Sequence, residues 1–325
     1  MVIRAGLRHH RRMPVDFSVV IPLFDKCGFV GATLASVLAQ TLPPREVIVV
    51  DDGSSDGGDT VVERFDDPRI RLIRQANAGP GNARNTGFAA ARGAWVALID
   101  ADDLWRRDHL AGLAAVVTAY PLVNAVGAAS QSFASAKSPV DSAWSPSEPM
   151  REIDFFTEHH GALFNASSIA LRRSAFAQTS GFRTYPAGED VEFWIRFALD
   201  HRIAVSTAAT AFYRRENGGI MDRQQVRMGA RTPMPVSPVF ATLDAALADP
   251  GHATRHGAIR DYANRTRLSY ARSLLYNGQA AAARALLAGV GHSSARRAAL
   301  TALSMFPGGL LRRMARVYSA IKRMR

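Results

Sequence analysis

The stretch ALIDADDLW (97–105) runs an apolar segment straight into three carboxylates, Asp100, Asp102 and Asp103. Alternate side chains of an extended chain share a side, so Asp100 and Asp102 are expected to point together and Asp103 to begin a turn. Two carboxylates held together repel, and one titrates high unless a cation joins them. A hard divalent ion removes the conflict. Mg²⁺ or Mn²⁺ takes oxygen ligands, uses few protein side chains and completes its shell with a diphosphate. The acids therefore suit a metal that bridges to a phosphorylated ligand. A helix cap competes with this, with Asp102 or Asp103 opening a helix over LWRRDHLAGLAAVV.

Such a site needs a scaffold. Short β-branched or apolar runs, FSVVIP (17–22), EVIVVDD (46–52), RIRLIR (69–74) and AWVALID (94–100), alternate with helical patterns over 29–40, 56–65 and 81–92. That alternation implies a mostly parallel sheet with helices on its faces. The runs at 46–50 and 95–99 are apolar throughout, as strands buried on both sides are. Phe24 and Asp25 follow the first strand, Asp51 and Asp52 end the second, Asn77 follows the third, and Asp100 and Asp102 end the fourth. In an open α/β sheet these carboxyl ends share the edge where ligands bind, so four stretches converge on one crevice. Further on, the Ser- and Pro-rich ASAKSPVDSAWSPSEPM reads as a loop, and NASSIALRRSAFAQTSGF (165–182) as a strand, a short helix and a turn. GEDVEFWIRFALD (188–200) reads as an acidic helix start with an apolar stripe of Val191, Trp194, Ile195 and Ala198, AVSTAATAFYRR (204–215) as a strand, and the chain from about 238 as helical, with a hairpin turning at Asn277-Gly278.

The motifs VVIPLFDK (19–26), SVLAQT (36–41), VIVVDDGSSD (47–56), NAGPGNARNTG (77–87), GAWVALIDADDLW (93–105), GF (181–182) and GEDVEFWIR (188–196) together resemble glycosyltransferase family 2, the inverting enzymes of GT-A fold, over about 16–217. The resemblance implies a Rossmann-like GT-A domain, bounded here as 16–235; the sequence itself reads as a disordered basic lead (1–15) before it and a basic helical extension (236–325) after it. It also implies a nucleotide-sugar donor, usually a UDP-sugar. Phe24 falls where the family stacks an aromatic on the base, with Pro22 a further candidate for nucleotide-sugar binding; Asp52 matches the base-reading acid, with Asp51 beside it. Asn77 and Arg84 fall near the nucleotide. Asp100 and Asp102 match the DxD motif, Asp102 being the main ligand of Mg²⁺ or Mn²⁺. Asp190 matches the catalytic base, with Glu189 beside it. A helix N-terminus, where acids are favoured by the dipole, accounts for GED equally simply. FYRRENGG departs from the family: Glu216 and Asn217 stand near a position often held by histidine, and Arg214 or Arg215 is left to neutralise phosphate. No Q-x-x-R-W motif suggests a processive synthase.

The 325 residues and 47% hydrophobic composition support one large core plus an extension. One cysteine, Cys27, precludes an intrachain disulfide and suits a reducing compartment. The start lacks a signal-peptide core and no run of eighteen apolar residues exists, so a cytoplasmic protein is expected, the first residues reading either as a disordered lead or as an upstream start with Met13 the real one. The net charge of +12 resides in the tail: Asp261 is the last acid, and twelve Lys or Arg follow it. Leu310, Leu311, Met314, Val317, Tyr318, Ile321 and Met324 share a helical face apart from most of these cations, as in a helix lying on an anionic membrane. Packing of that face on the body is the alternative, and nucleic acid is not expected because aromatic residues are sparse there. His9-His10 and His159-His160 lack metal-ligand spacing. The expected activity is transfer of a sugar to a hydroxyl of a cell-surface glycan or lipid-linked acceptor, on the inner face of the cytoplasmic membrane. The rivals are a sugar nucleotidyltransferase, which would need an N-terminal Gly- and Arg-rich loop, and a degenerate domain acting as a scaffold.

Overall fold

The computed structural model describes residues 15–133, 149–158, 163–185, 188–214, 237–291 and 294–313. Strands β1 (Phe17–Leu23), β2 (Glu46–Asp51), β3 (Ile70–Arg74) and β4 (Trp95–Leu98) pair in parallel in the order β3-β2-β1-β4. Helices α1 (Cys27–Leu38), α2 (Gly58–Glu63) and α3 (Pro80–Ala90) connect them, as the alternating pattern predicts. The period-two rule sorts the apolar runs between two cores. Val19, Ile21, Val47, Val49, Ala97 and Ile99 face α1 and α4 (His109–Ala119). Val20, Ile48, Val50, Val96 and Leu98 face the other core, with Ala83 and Phe88 of α3. Gly87 lets α3 lie directly on β1, because a Cβ there would stand 2.3 Å from Val20 Cγ1.

Beyond β4 the chain builds β5 (Leu104–Trp105), β6 (Ala125–Phe133), β7 (Met150–Ile153), α5 (Phe155–Glu158), β8 (Ile169–Arg172), α6 (Arg173–Phe176), α7 (Glu189–Asp200) and β9 (Ile203–Arg214). The nine-stranded sheet continues from β4 in the order β8-β6-β9-β5, with β7 also on β9. Here pairing is mixed: β8 runs antiparallel to β4 and β6, β6 parallel to β9, and β5 and β7 antiparallel to β9. So the parallel half ends at β4, where the acidic turn 100–103 carries the chain across to β9. In α7 the buried face is Phe193, Trp194, Ile195, Phe197 and Ala198, while Val191, placed in the stripe from sequence, is exposed. The Ser- and Pro-rich loop lies mostly outside the described residues, as do most of the basic lead, His159-His160 and 215–236.

The C-terminal part is helical: α8 (Val239–Ala248), a 3₁₀ turn (Pro250–Arg255), α9 (His256–Tyr276), α10 (Ala280–Ala288) and α11 (Ala295–Leu303). Gly278, with φ +74°, turns the α9–α10 hairpin at the expected place. Val239, Leu243, Ile259, Tyr262 and Ala263 belong to the same core as Phe155, Phe156, Phe193 and Trp194. From Leu268 onward α9 instead packs a separate cluster with Ala283, Leu287, Leu300 and Leu311. Leu310 and Leu311 were placed on one face from sequence; Leu311 packs inward and Leu310 is exposed, while 314–325 lie outside the described residues. No described helix is long and apolar enough to cross a membrane.

Candidate active site

The four parallel strands deliver the expected residues to one edge, and loop-to-loop hydrogen bonds fix them there. Asp25, the only described non-glycine residue with positive φ (+49°), accepts from the Ser55 N–H at 2.9 Å and donates its own N–H to Ser54 Oγ at 3.1 Å. Asp56 accepts the N–H groups of Cys27 (2.7 Å) and Gly58 (3.0 Å). The loops after β1 and β2 are thereby joined. Asp51 accepts the Ser54 N–H at 3.1 Å. Asp52 is 2% exposed and accepts from Gln75 Nε2 (2.8 Å), Ala78 N–H (2.9 Å) and Gly79 N–H (2.8 Å). Its carboxylate thus shapes the loop before α3. Phe24, 40% exposed, and Asn77, also exposed, lie on the solvent side of this corner, and Pro22 is partly buried in β1.

The acidic segment differs from the extended ladder expected of it. Ala101 and Asp102 form a turn, closed by the Asp103 N–H on the Asp100 carbonyl at 3.1 Å. The three side chains therefore find three different partners. Asp100 accepts from Arg84 Nη2 at 2.9 Å. Asp102 pairs with Lys26. Asp103 is fully buried, takes the Ser167 hydroxyl and accepts the Arg214 N–H at 2.9 Å. Burial and the neighbouring Asp100 charge push its pKa well above the usual carboxylate range. Neither Asp102 nor Asp103 caps a helix, since β5 intervenes and α4 begins only after Asp108. Thr33 Oγ1 holds the turn from below through the carbonyls of Ala101 (2.9 Å) and Asp103 (2.8 Å). Arg214 holds it from the side, Nε donating to the Asp102 carbonyl at 3.0 Å, so this arginine binds the acidic turn; Arg215, Glu216 and Asn217 lie outside the described residues.

Arg84 is the hinge of the arrangement. It is 3% exposed and donates to Asp100 and, through Nη1 at 3.0 Å, to Glu189, 105 residues away. Its guanidinium lies 5.6 Å from the Phe182 ring centroid. Two carboxylate acceptors, Glu189 buried and Asp100 partly exposed, hold this buried cation charged. Next to it, Asn85 exchanges two 2.8 Å hydrogen bonds with the Phe182 backbone. One helix of the first half thus grips the segment that carries the second acid pair. Glu189 is raised by burial and by the Asp190 charge, against the pull of Arg84. Asp190 is half-buried, and burial raises it too, opposed by Arg84 and assisted by Asp100. Its Oδ1 accepts the Val191 N–H at 2.8 Å, so the helix-terminus account of this acid also holds locally.

Among the described residues no cluster of three or more His, Cys, Asp or Glu could hold a metal. What the turn offers is a pair of carboxylates, Asp100 and Asp102, already neutralised by Arg84 and Lys26. All-oxygen ligation from two side chains fits Mg²⁺ or Mn²⁺ that completes its shell with water and phosphate. Lys26, Asn85, Thr33 and Ser167 were not singled out from sequence. Only Lys26 carried a signal: it is one of three lysines among 40 basic residues.

A model of the family described as glycosyl transferase family 2 matches residues 18–179. The succinoglycan biosynthesis protein ExoO of Rhizobium meliloti is 43% identical over 96 residues, which are 29% of this chain and 28% of that protein. ExoW of the same organism, also a succinoglycan biosynthesis protein, is 46% identical over 102 residues, 29% of this chain and 31% of its own. The chain thus matches less than a third of the length of these relatives. Among solved structures, S. aureus TarS 1–349 in complex with UDP-GlcNAc superposes with TM-score 0.64 at 20% identity, over 88% of this chain and 83% of that one. The mannosyltransferase PcManGT from Pyrobaculum calidifontis, with GDP-Man and Mn²⁺, gives TM-score 0.55 at 21% identity, over 94% and 84%. These likenesses show the fold, which is GT-A with a helical C-terminal part.

Proposed function

Since its residues 18–179 make this chain a member of glycosyl transferase family 2, we propose that it is a metal-dependent, inverting glycosyltransferase. It moves a sugar from a nucleotide-sugar, a UDP-sugar in the first instance, to a hydroxyl of a cell-surface glycan or a lipid-linked acceptor. The donor class is supported by the UDP-GlcNAc and GDP-Man held by the structural neighbours, and the polysaccharide context by the names of ExoO and ExoW. One observation carries the proposal: Arg84 ties Asp100 of the acidic turn to Glu189 of the distant GED segment, so two acid groups share one crevice.

In this mechanism Asp190 takes the proton of the acceptor hydroxyl. The freed oxygen attacks the anomeric carbon from the face opposite the leaving group, through an oxocarbenium-like state. The bond to the diphosphate oxygen breaks, and the diphosphate leaves with the electron pair. Asp102, with Asp100, would hold Mg²⁺ or Mn²⁺, whose contribution is to neutralise charge growing on the diphosphate. Arg84 holds Asp100 and Glu189 in place through its two hydrogen bonds. Phe24 and Asn77 face the base, over a loop that Asp52 shapes.

The test is thermal stability with UDP, GDP, CDP and dTDP, each with and without Mn²⁺. One diphosphate is expected to stabilise the fold only with metal, and Asp102→Ala to abolish that shift. Well-folded protein unaffected by all four would instead favour a scaffold.

A further inference from the structure

We infer that the apex formed by the 276–278 turn and residues 304–313 is a docking surface for an anionic lipid bilayer, independent of the transfer reaction. Eight large hydrophobic residues are exposed among the described ones, and four of them fall here: Tyr276 (45%), Met305 (69%), Phe306 (46%) and Leu310 (43%). They form one surface because the two turns touch. A Cβ on Gly278 would stand 2.6 Å from the Gly308 carbonyl oxygen, and Arg312 Nη1 reaches the Asn277 carbonyl at 3.5 Å. Nor are they core residues lacking a partner, for Leu300 (6%) and Leu311 (5%) already pack this segment onto α9 and α10.

Charge identifies the occupant. Arg312 and Arg313 are exposed in the same segment, and no Asp or Glu occurs anywhere after Asp261. An apolar tip beside unopposed arginines matches a headgroup layer, where the apolar side chains enter the acyl boundary and the guanidinium groups meet phosphates. A second copy fits poorly. A two-fold contact would set arginines against arginines with no acid on either side. No described helix is long and apolar enough to span a bilayer, and the proposed contact is one made from the membrane surface.

Vesicle sedimentation of the full chain tests this, with phosphatidylcholine alone against phosphatidylcholine containing about a third phosphatidylglycerol. Wild type is expected on the anionic vesicles only, and to come off as salt is raised. Met305→Ser with Phe306→Ser should weaken binding at least about tenfold with an unchanged melting temperature. Arg312→Gln with Arg313→Gln should weaken it about 30-fold, from about 1 kcal/mol per arginine near the surface. Hydrogen exchange of wild type with and without anionic vesicles keeps the test open should a variant fail to fold: protection of 304–313 supports docking, and unchanged exchange refutes it. Three other results overturn the inference. They are equal binding to both vesicle types, variants that bind like wild type, and a concentration-dependent dimer that the serine variant disperses.

Discussion

Lys26 and Asp190 are the side chains whose chemistry decides most. Lys26 and Asp102 are 15% and 16% exposed at their side chains, so their pairing is partly shielded from water. An ammonium seated on the carboxylate proposed for a divalent ion competes with that ion. Lys26→Met is therefore expected to tighten Mn²⁺ binding about fivefold, the equivalent of ~1 kcal/mol for an ion pair at the upper end of the exposed range. Titration of free Mn²⁺ by electron paramagnetic resonance reads this directly, and unchanged or weaker affinity would mean that Lys26 does not compete. Asp190 is raised above the ordinary 3.8 by burial. A base acts only when ionised, so activity is expected to fall as pH drops through that raised value. The acid limb of kcat/KM should lie above 3.8, with about a tenfold loss per pH unit below it. Asp190→Asn should be inactive across the range. A limb at the ordinary position would remove Asp190 from the role.

The site is held by how closely α3 lies on β1. Gly87→Ala is expected to cost about 1–3 kcal/mol, because the new methyl meets Val20 inside a packed sheet face. Because α3 also carries Arg84 and Asn85, the same change should lower activity beyond its effect on stability. Urea unfolding alongside turnover of the folded fraction separates the two; equal losses would make the helix a passive support. The parallel half was legible in sequence because its buried strands are unbroken β-branched runs and their acids fall at the carboxyl ends. Strand β6 was not legible. AVGAASQSF lacks such a run, and Gly127 sits in it because a Cβ would stand 2.9 Å from Phe164 Cβ, a tertiary reason invisible locally. The acidic turn was found from sequence but misread as extended. Its three carboxylates part toward Arg84, Lys26 and Ser167, and those partners come from elements 16, 76 and 64 residues away in sequence. Val191 was assigned to the buried stripe by helical spacing alone, whereas α7 buries the neighbouring face rich in aromatics.

The described residues form one sheet, and the C-terminal helices divide between two packings. Val239, Leu243, Ile259 and Tyr262 complete the core on which Phe155, Phe156 and Phe193 pack. Ending the chain at residue 236 is therefore expected to expose that core and leave a fragment that aggregates or melts without cooperativity. Calorimetry and light scattering of the 1–236 fragment against the full chain check this; a cooperative, monomeric fragment would show that α8 and α9 are dispensable. Between Ala263 and Leu268 the packing of α9 passes from the sheet's core to that of the tail. The boundary between these two packings thus lies inside α9, an unbroken helix. Anyone grafting the C-terminal part of one family member onto the catalytic part of another should join them within α9, where the chimera keeps both sets of neighbours.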